Sequence, residues 1–166
     1  MKGWTLQGAD INYRVHVTPD RAFVKVFEKA SYLNCEPLRL FFEDQQKKGQ
    51  KRYVIDFEDC SSMDSTFLGI LVSVALQIRK SQNGGNIALL NLRGRNLETV
   101  CNLGIHQIAD ISSDEVKDTV QLENLNGSHT NSDTIYKAHK ALMSLNEKNL
   151  KVFSDVVGYL EQKKEE

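Results

Sequence analysis

The chain has 166 residues, a net charge of -1 and an apolar fraction of 40%, a composition typical of one globular domain with at most an appendage. This near-neutral charge excludes a global field that would draw nucleic acid or an anionic membrane. No apolar run reaches the roughly 20 residues that span a bilayer, and residues 1–18 lack the features of a signal peptide. We therefore expect a cytoplasmic protein that binds neither nucleic acid nor membrane directly.

Two alternating segments near the start of the chain predict a β-hairpin. Polar and apolar side chains alternate over residues 12–18 and again over residues 21–28, on either side of a Thr-Pro-Asp turn. A helix is then expected from Cys35 to about Lys48, with Asn34 as its N-cap.

The most informative stretch runs from Arg52 to Lys80. Residues 53–57, Tyr-Val-Ile-Asp-Phe, predict a buried strand because β-branched and aromatic side chains crowd a short apolar run. The polar residues 58–66 predict a loop, and residues 67–78 predict a helix that is apolar on most of its faces. Sites in α/β proteins lie where a strand ends in such a loop and enters a helix, so we expect the functional site here.

The following pattern alternates strands and helices. A strand is predicted over residues 86–92, a helix over residues 94–103, a short strand over residues 105–111 and a helix over residues 114–122. Such alternation predicts a mixed sheet with parallel strands and crossover helices.

Residues 124–131, Asn-Leu-Asn-Gly-Ser-His-Thr-Asn, have a linker composition. They divide a domain of residues 1–123 from a C-terminal extension of residues 132–166, which predicts one long helix through about Leu160. Its apolar residues follow a heptad seam that contains one asparagine: Ile135, Ala138, Leu142, Leu145, Asn149, Val152, Val156 and Tyr159. A helix this apolar needs cover, which its own sheet, a second copy in a homodimer or a partner protein would supply.

The usual catalytic and cofactor-binding patterns are missing from the sequence. It contains no GxSxG elbow and no glycine-rich phosphate loop. Its three cysteines include no CxxC pair, which favours reduced thiols over a disulfide framework. Its four histidines are too widely spread for metal-ligand spacing, so surface or packing roles are expected for His16, His106, His129 and His139.

Two weaker alternatives remain from the charged residues. Four carboxylates near the predicted loop are compatible with a magnesium site, although solvated carboxylates are more common: Asp56, Glu58, Asp59 and Asp64. Arg93 and Arg95 flank Gly94 at a helix start, where an anion or nucleotide could bind, although two solvated arginines are the commoner outcome.

The hydroxyl cluster Asp64-Ser65-Thr66 stands at the start of the apolar helix. Asp64 or Ser65 is expected to cap that helix by accepting hydrogen bonds from its first N–H groups. A phosphate added here would lie at the positive end of the helix dipole. It would make the surface strongly acidic without unfolding the domain, which is the behaviour of a switch.

These residues resemble the phosphorylation-site region of STAS domains, and most closely that of the bacterial anti-sigma-factor antagonists. The resemblance is carried by residues 53–57, by Met63-Asp64-Ser65-Thr66 and by Leu68-Gly69, and it covers about Ile11 to Leu122. It implies an α/β fold with a STAS-like mixed β-sheet and crossover helices, to which this chain adds a long C-terminal helix.

The resemblance also implies a function without catalytic activity, metal or cofactor. Such a regulator binds a serine-kinase anti-sigma factor, is switched off when the kinase phosphorylates it, and is restored by a PP2C-type phosphatase. The phosphoacceptor follows the motif aspartate, which gives Ser65. The surface expected to bind the partner comprises Asn34, Asp59, Ser62, Met63, Asp64, Thr66, Phe67 and Leu68.

Two positions depart from the family pattern. Phe67 stands where the family usually has a small residue, so it either reshapes the approach of a kinase or forms an exposed anchor for another partner. Asn34 stands at the position of a loop aspartate and removes one charge. The alternative function is a constitutive STAS scaffold, or an oligomerisation module that forms a homodimer through the C-terminal helix.

Overall fold

A computed structural model describes residues 11–81, 84–113, 122–125 and 129–165. Within these ranges the strands are β1 (Tyr13–Val17), β2 (Ala22–Ala30), β3 (Arg52–Met63), β4 (Asn86–Leu90), β5 (Asp110–Ser112) and β6 (Glu123–Asn124). The helices are α1 (Glu36–Lys47), α2 (Ser65–Lys80), α3 (Gly94–Asn102), α4 (Ser132–Leu145) and α5 (Glu147–Glu165). None of the helices in these ranges is long and apolar enough to cross a membrane.

The strands form one mixed sheet in the order β5-β4-β3-β2-β1-β6. Strands β1 and β2 pair antiparallel, so the predicted hairpin is confirmed. Strand β2 pairs parallel with β3, β3 with β4, and β4 with β5. Helices α1, α2 and α3 connect these parallel neighbours in turn, as the alternating sequence pattern predicts. The carboxyl ends of β2 and β3 therefore lie side by side.

Strand β3 is longer than the sequence predicts. The polar residues 58–63 were expected to form a loop, but they continue the strand to Met63. The expectation was wrong because β2 also extends and holds them in the sheet: Ala30 pairs with Met63, and Asp64 N–H donates to the Ala30 carbonyl at 3.0 Å. Asp64 is thus the single residue between β3 and α2.

The structure also differs from the sequence prediction after α3. Residues 105–111 were predicted as one strand, but they form a 3-10 turn over Ile105–Gln107 before β5 begins at Asp110. Gly104 adopts a left-handed φ of 84° that starts this turn. The sequence pattern did not predict β6, whose Asn124 pairs with Arg14 of β1. The helix predicted over residues 114–122 falls almost entirely outside the described residues.

The C-terminal extension is helical, as predicted, but it consists of two helices rather than one. The chain turns at Asn146, whose backbone is extended. The Asn146 side chain accepts a hydrogen bond from Asn149 N–H at 2.8 Å and donates to the Leu103 carbonyl at 3.1 Å. One amide therefore caps α5 and anchors the turn beside α3, which breaks the predicted long helix.

Helix α4 packs against α2 of the same chain. A Cβ placed on Gly69 would lie 2.2 Å from the carbonyl oxygen of Ala138, so the two backbones touch there without a side chain between them. The apolar seam is consequently split. Its first half is buried at Ala138 and Leu142, whereas its second half on α5 is exposed at Val152, Val156 and Tyr159. On α5 the buried apolar residues are Val157 and Leu160, which lie outside the seam.

Phe67 lies in the core, so the expectation of an exposed anchor is wrong. Its side chain is 0% exposed. The ring stacks on Tyr13 with centroids 6.2 Å apart and meets Phe57 edge-on at 6.1 Å. Phe67 thus joins the first turn of α2 to β1 and β3, beneath the candidate site.

Replacing this ring tests the packing. Phe67→Ala should lower the free energy of unfolding by about 3–5 kcal/mol, because the cavity cannot collapse between two fixed aromatic neighbours. The measurement is urea denaturation of the full chain. The matched control is Tyr159→Ala, since Tyr159 is 58% exposed and should change the free energy by under about 0.5 kcal/mol. Equal losses for the two variants would contradict the assignment of Phe67 to the core.

Candidate functional site

Asp64 connects the start of α2 to the loop that precedes α1. Its Oδ1 accepts a hydrogen bond from Phe67 N–H at 3.0 Å, which confirms the predicted cap. Its Oδ2 accepts from Tyr32 N–H at 2.8 Å. Because one carboxylate serves both segments, residues 31–34 are held against the N-terminus of α2.

Asn34 shapes this loop but does not cap α1, so that expectation is wrong. The N-cap position is Cys35, which makes no side-chain capping bond. The Asn34 amide instead accepts from the Tyr13 hydroxyl at 2.7 Å and from Ser31 N–H at 3.1 Å, and it donates to the Lys29 carbonyl at 2.7 Å. These bonds close the loop and give the buried Tyr13 hydroxyl an acceptor. Burial raises the pKa of that hydroxyl.

Ser65 is the first residue of α2 and is half-buried. Its Oγ lies 2.7 Å from Nε2 of His139 on α4. Nδ1 of the same ring lies 2.7 Å from the Ile135 carbonyl, which can only accept. In the neutral ring Nδ1 therefore carries the proton, and Nε2 accepts a hydrogen bond from the Ser65 hydroxyl. The predicted phosphoacceptor thus contacts the C-terminal extension directly.

The sequence predicts a surface or packing role for His139. The ring is 4% exposed and meets Phe153 of α5 edge-on at 5.4 Å, so the packing is real. Its bond to Ser65 spans 74 positions in the chain. No spacing or motif connects such distant residues, and only the fold of the extension onto α2 reveals the pair.

The residues predicted to bind a partner divide into two groups. Asp59 and Ser62 are exposed on the last part of β3, and Met63, Asp64 and Asn34 are half-buried beside them. The other three belong to the interior because the sheet and α4 cover the two sides of α2: Thr66, Phe67 and Leu68. The exposed surface at this end of the sheet also includes Tyr32 and Leu33 at the tip of the loop.

The acidic residues of this region do not converge on one point. Asp56 is buried, and its Oδ1 accepts from Glu58 N–H at 3.0 Å and from the Asn91 amide at 2.9 Å. Asp59 forms an ion pair with Lys25 at 3.2 Å. Within the part of the chain that the structure describes, no three His, Cys, Asp or Glu side chains are placed to hold a metal ion. Asp56, Asp59 and Asp64 each have a structural partner instead.

The three cysteines are free thiols in different surroundings. Cys35 and Cys60 are buried near the site, whereas Cys101 is exposed on α3. Burial raises the pKa of Cys35 and of Cys60 to about 11. A higher pKa keeps a thiol protonated at neutral pH, and the thiolate is the reactive form. Of the three, only Cys101 is therefore open to alkylating reagents.

The model of the STAS domain family matches residues 13–122. The chain belongs to the STAS domain family. The match includes the β3–α2 junction with Asp64 and Ser65, and it ends before the α4–α5 hairpin. None of the curated proteins compared with the chain matches it significantly.

Solved structures support the same fold. The anti-sigma factor antagonist SpoIIAA in its unphosphorylated form aligns with a TM-score of 0.52 and 18% identity, over 64% of this chain and 91% of that one. The Bacillus cell fate determinant SpoIIAA in the phosphorylated form gives 0.53 and 18%, over 64% and 93%. The NMR structure of the protein TM1081 gives 0.50 and 22%, over 60% and 78%. At sequence identities this low, the structural similarity shows the fold alone. The function has to be argued from the residues of the site.

The double role of Asp64 can be tested by two substitutions. Asp64→Ala should lower the free energy of unfolding by about 1–2 kcal/mol, because α2 loses its cap and Tyr32 N–H loses its acceptor. Asp64→Asn should lose less, since its amide oxygen still caps the helix. Denaturation in urea checks both, with Asp59→Ala as the control for removing an exposed charge at a cost of under about 1 kcal/mol. A smaller loss for Asp64→Ala than for Asp59→Ala would contradict the capping role.

Proposed function

We propose that this protein is an anti-sigma-factor antagonist-like regulator that binds a serine-kinase anti-sigma factor and is switched off by phosphorylation at Ser65. One observation carries the proposal: within a STAS domain, the Ser65 hydroxyl stands at the first residue of α2, directly after the capping Asp64. SpoIIAA, which shares this fold, is itself an anti-sigma factor antagonist with unphosphorylated and phosphorylated forms.

The electrostatics of the site suit a switch. A phosphate on Ser65 would carry close to two negative charges and would lie at the positive end of α2. The helix dipole stabilises that charge, so the fold is retained. The same phosphate would stand beside the carboxylate of Asp64, the residue that precedes Ser65. A partner surface that fits the unmodified protein then meets a concentrated negative charge, which costs several kcal/mol in like-charge repulsion where the partner is acidic.

The partners follow from this mechanism. The anti-sigma factor acts as the kinase, and a PP2C-type phosphatase reverses the modification. The contact surface consists of the exposed tip of the residue 31–34 loop together with Asp59 and Ser62. In this scheme the chain is a substrate and a ligand, and it supplies no catalytic group of its own.

Phosphorylation of the full chain by its cognate serine kinase and ATP tests the proposal. Mass spectrometry should place the phosphate on Ser65, and Ser65→Ala should abolish it, whereas the exposed neighbour control Ser61→Ala should be modified as the unchanged protein is. Ser65→Asp should weaken kinase binding by at least about tenfold, or roughly 1.4 kcal/mol, with little change in Tm. Modification elsewhere with Ser65 unmodified would refute the switch.

A second candidate function is a homodimeric scaffold, which the exposed apolar stripe of α5 favours. Val152, Val156 and Tyr159 lie on one side of the helix at the spacing of a heptad seam and remain exposed in the monomer. A second copy of α5 would cover this stripe.

Light scattering of the full chain over a range of concentrations tests this scaffold. Dimerisation should be lost in Val156→Glu and retained in Ser154→Glu, which adds the same charge outside the stripe. A monomer at every concentration would exclude the scaffold.

A further inference from the structure

We propose that the α4–α5 hairpin is a built-in competitor for the partner surface of the STAS domain, one that covers Ser65 until another protein displaces it. The inference rests on the proposed function for the meaning of Ser65, and it adds a step of regulation that precedes phosphorylation. Three contacts between the hairpin and the domain carry it: Ser65–His139, Gly69–Ala138 and Glu36–Thr134.

The first contact occupies the Ser65 hydroxyl that a kinase would have to reach. A kinase must bring a phosphorus atom to Ser65 Oγ, and a base must take the hydroxyl proton. His139 Nε2, at 2.7 Å, already occupies the position from which that proton is accepted. Turning the ring into solvent would break the bond of its other nitrogen to the Ile135 carbonyl and its edge-on contact with Phe153 of α5. The favoured route of access to Ser65 is therefore a movement of α4 as a unit.

The second contact makes the cover fit closely. At Gly69 an added Cβ would lie 2.2, 2.5 and 2.7 Å from the backbone O, C and Cα atoms of Ala138. Backbone atoms cannot escape such an overlap by changing a rotamer. Only glycine at position 69 lets α4 approach this near, and any side chain there would push α4 away from the Ser65 end of α2.

The third contact fastens the start of α4 to α1. The Thr134 hydroxyl donates to Glu36 Oε1 at 2.7 Å in a buried position, while Glu36 Oε2 accepts from Arg39. Burial alone would raise the pKa of Glu36, but the hydrogen bonds from Arg39 and Thr134 outweigh it and hold the pKa below its ordinary value. The carboxylate thus stays ionised at neutral pH and accepts both bonds.

Other features of the hairpin suit a cover that can be released. Asn149 at its turn is fully buried, and within the described residues its Oδ1 has no hydrogen-bond partner. A buried acceptor without a donor costs free energy. The hairpin also lies beyond the segment that the STAS model matches, and it contributes no strand to the sheet.

Alkylation of a thiol at position 65 measures the cover without any kinase. In the full-length S65C variant, iodoacetamide should modify position 65 at least about tenfold more slowly than the exposed Cys101, because reaction waits for local opening. Cys101 serves as the internal reference in each sample. Peptide mass spectrometry separates the two sites, and Cys35 and Cys60 stay buried.

A methyl group at position 69 should then push α4 away from α2 and expose position 65. Adding Gly69→Ala to S65C should raise the rate at position 65 relative to Cys101 several-fold. Hydrogen exchange should quicken in α4 and α5 while β2 and β3 keep their protection. The matched control is Gly158→Ala on α5, where an added Cβ meets nothing within 4 Å and the rate should not change. If β2 and β3 lose protection in Gly69→Ala, Leu142→Ala replaces it, with the same expectation.

Two results would overturn the cover. One is a rate at position 65 that already equals that of Cys101 in S65C. The other is an unchanged rate in the Gly69→Ala variant despite faster exchange in α4. Neither result depends on a kinase, so each tests the cover alone. Failure of Ser65 to accept phosphate from the kinase would instead refute the proposed function and leave the cover in place.

Discussion

The first three turns of helix α2 are buried on nearly every side, and the rest of the structure follows from that constraint. Its buried residues run almost without interruption over the first three turns: Thr66, Phe67, Leu68, Gly69, Ile70, Leu71, Val72, Val74 and Ala75. A helix that is apolar all round must be covered on both sides. The sheet covers one side and α4 covers the other. Each large side chain so buried contributes about 1.5–3 kcal/mol relative to exposure, so a free chain in water favours the state in which both covers are in place.

This constraint gives physical meaning to competition at Ser65. If the hairpin leaves α2, the face of α2 that α4 had covered becomes an apolar patch beside the polar junction at Asp64. Such a patch needs another occupant, and a partner protein that binds there replaces the buried area that α4 gives up. Exchanging the hairpin for a partner therefore costs less free energy than losing the hairpin with nothing in its place. A cover that merely unfolded would expose the same surface with no compensation.

The sequence could predict the elements whose patterns are local. Residues 53–57 form a buried strand and residues 67–78 a helix because their own apolar patterns require it. Residues 58–63 could not be assigned correctly, since they are polar and are held as strand only by their pairing with β2. The break at Asn146 was missed because it depends on the Leu103 carbonyl, 43 positions away. The site was half predictable: the Asp64 cap and Ser65 follow from the motif, whereas His139 reaches Ser65 only through the packing of two helices.

Phe67 and Gly69 hold the first turns of α2 between the sheet and the hairpin. Phe67 turns inward onto Tyr13 and Phe57 and fixes the first turn of α2 from below. Gly69, one turn from Ser65, lets α4 touch the helix from above. The Ser65 hydroxyl thus lies between the packed aromatic side chains under α2 and the α4–α5 hairpin above it. In the proposed scheme, His139 and the kinase compete for the same hydroxyl, so their occupancies are linked. By reciprocity, whatever strengthens the cover by a given factor weakens partner binding by that factor.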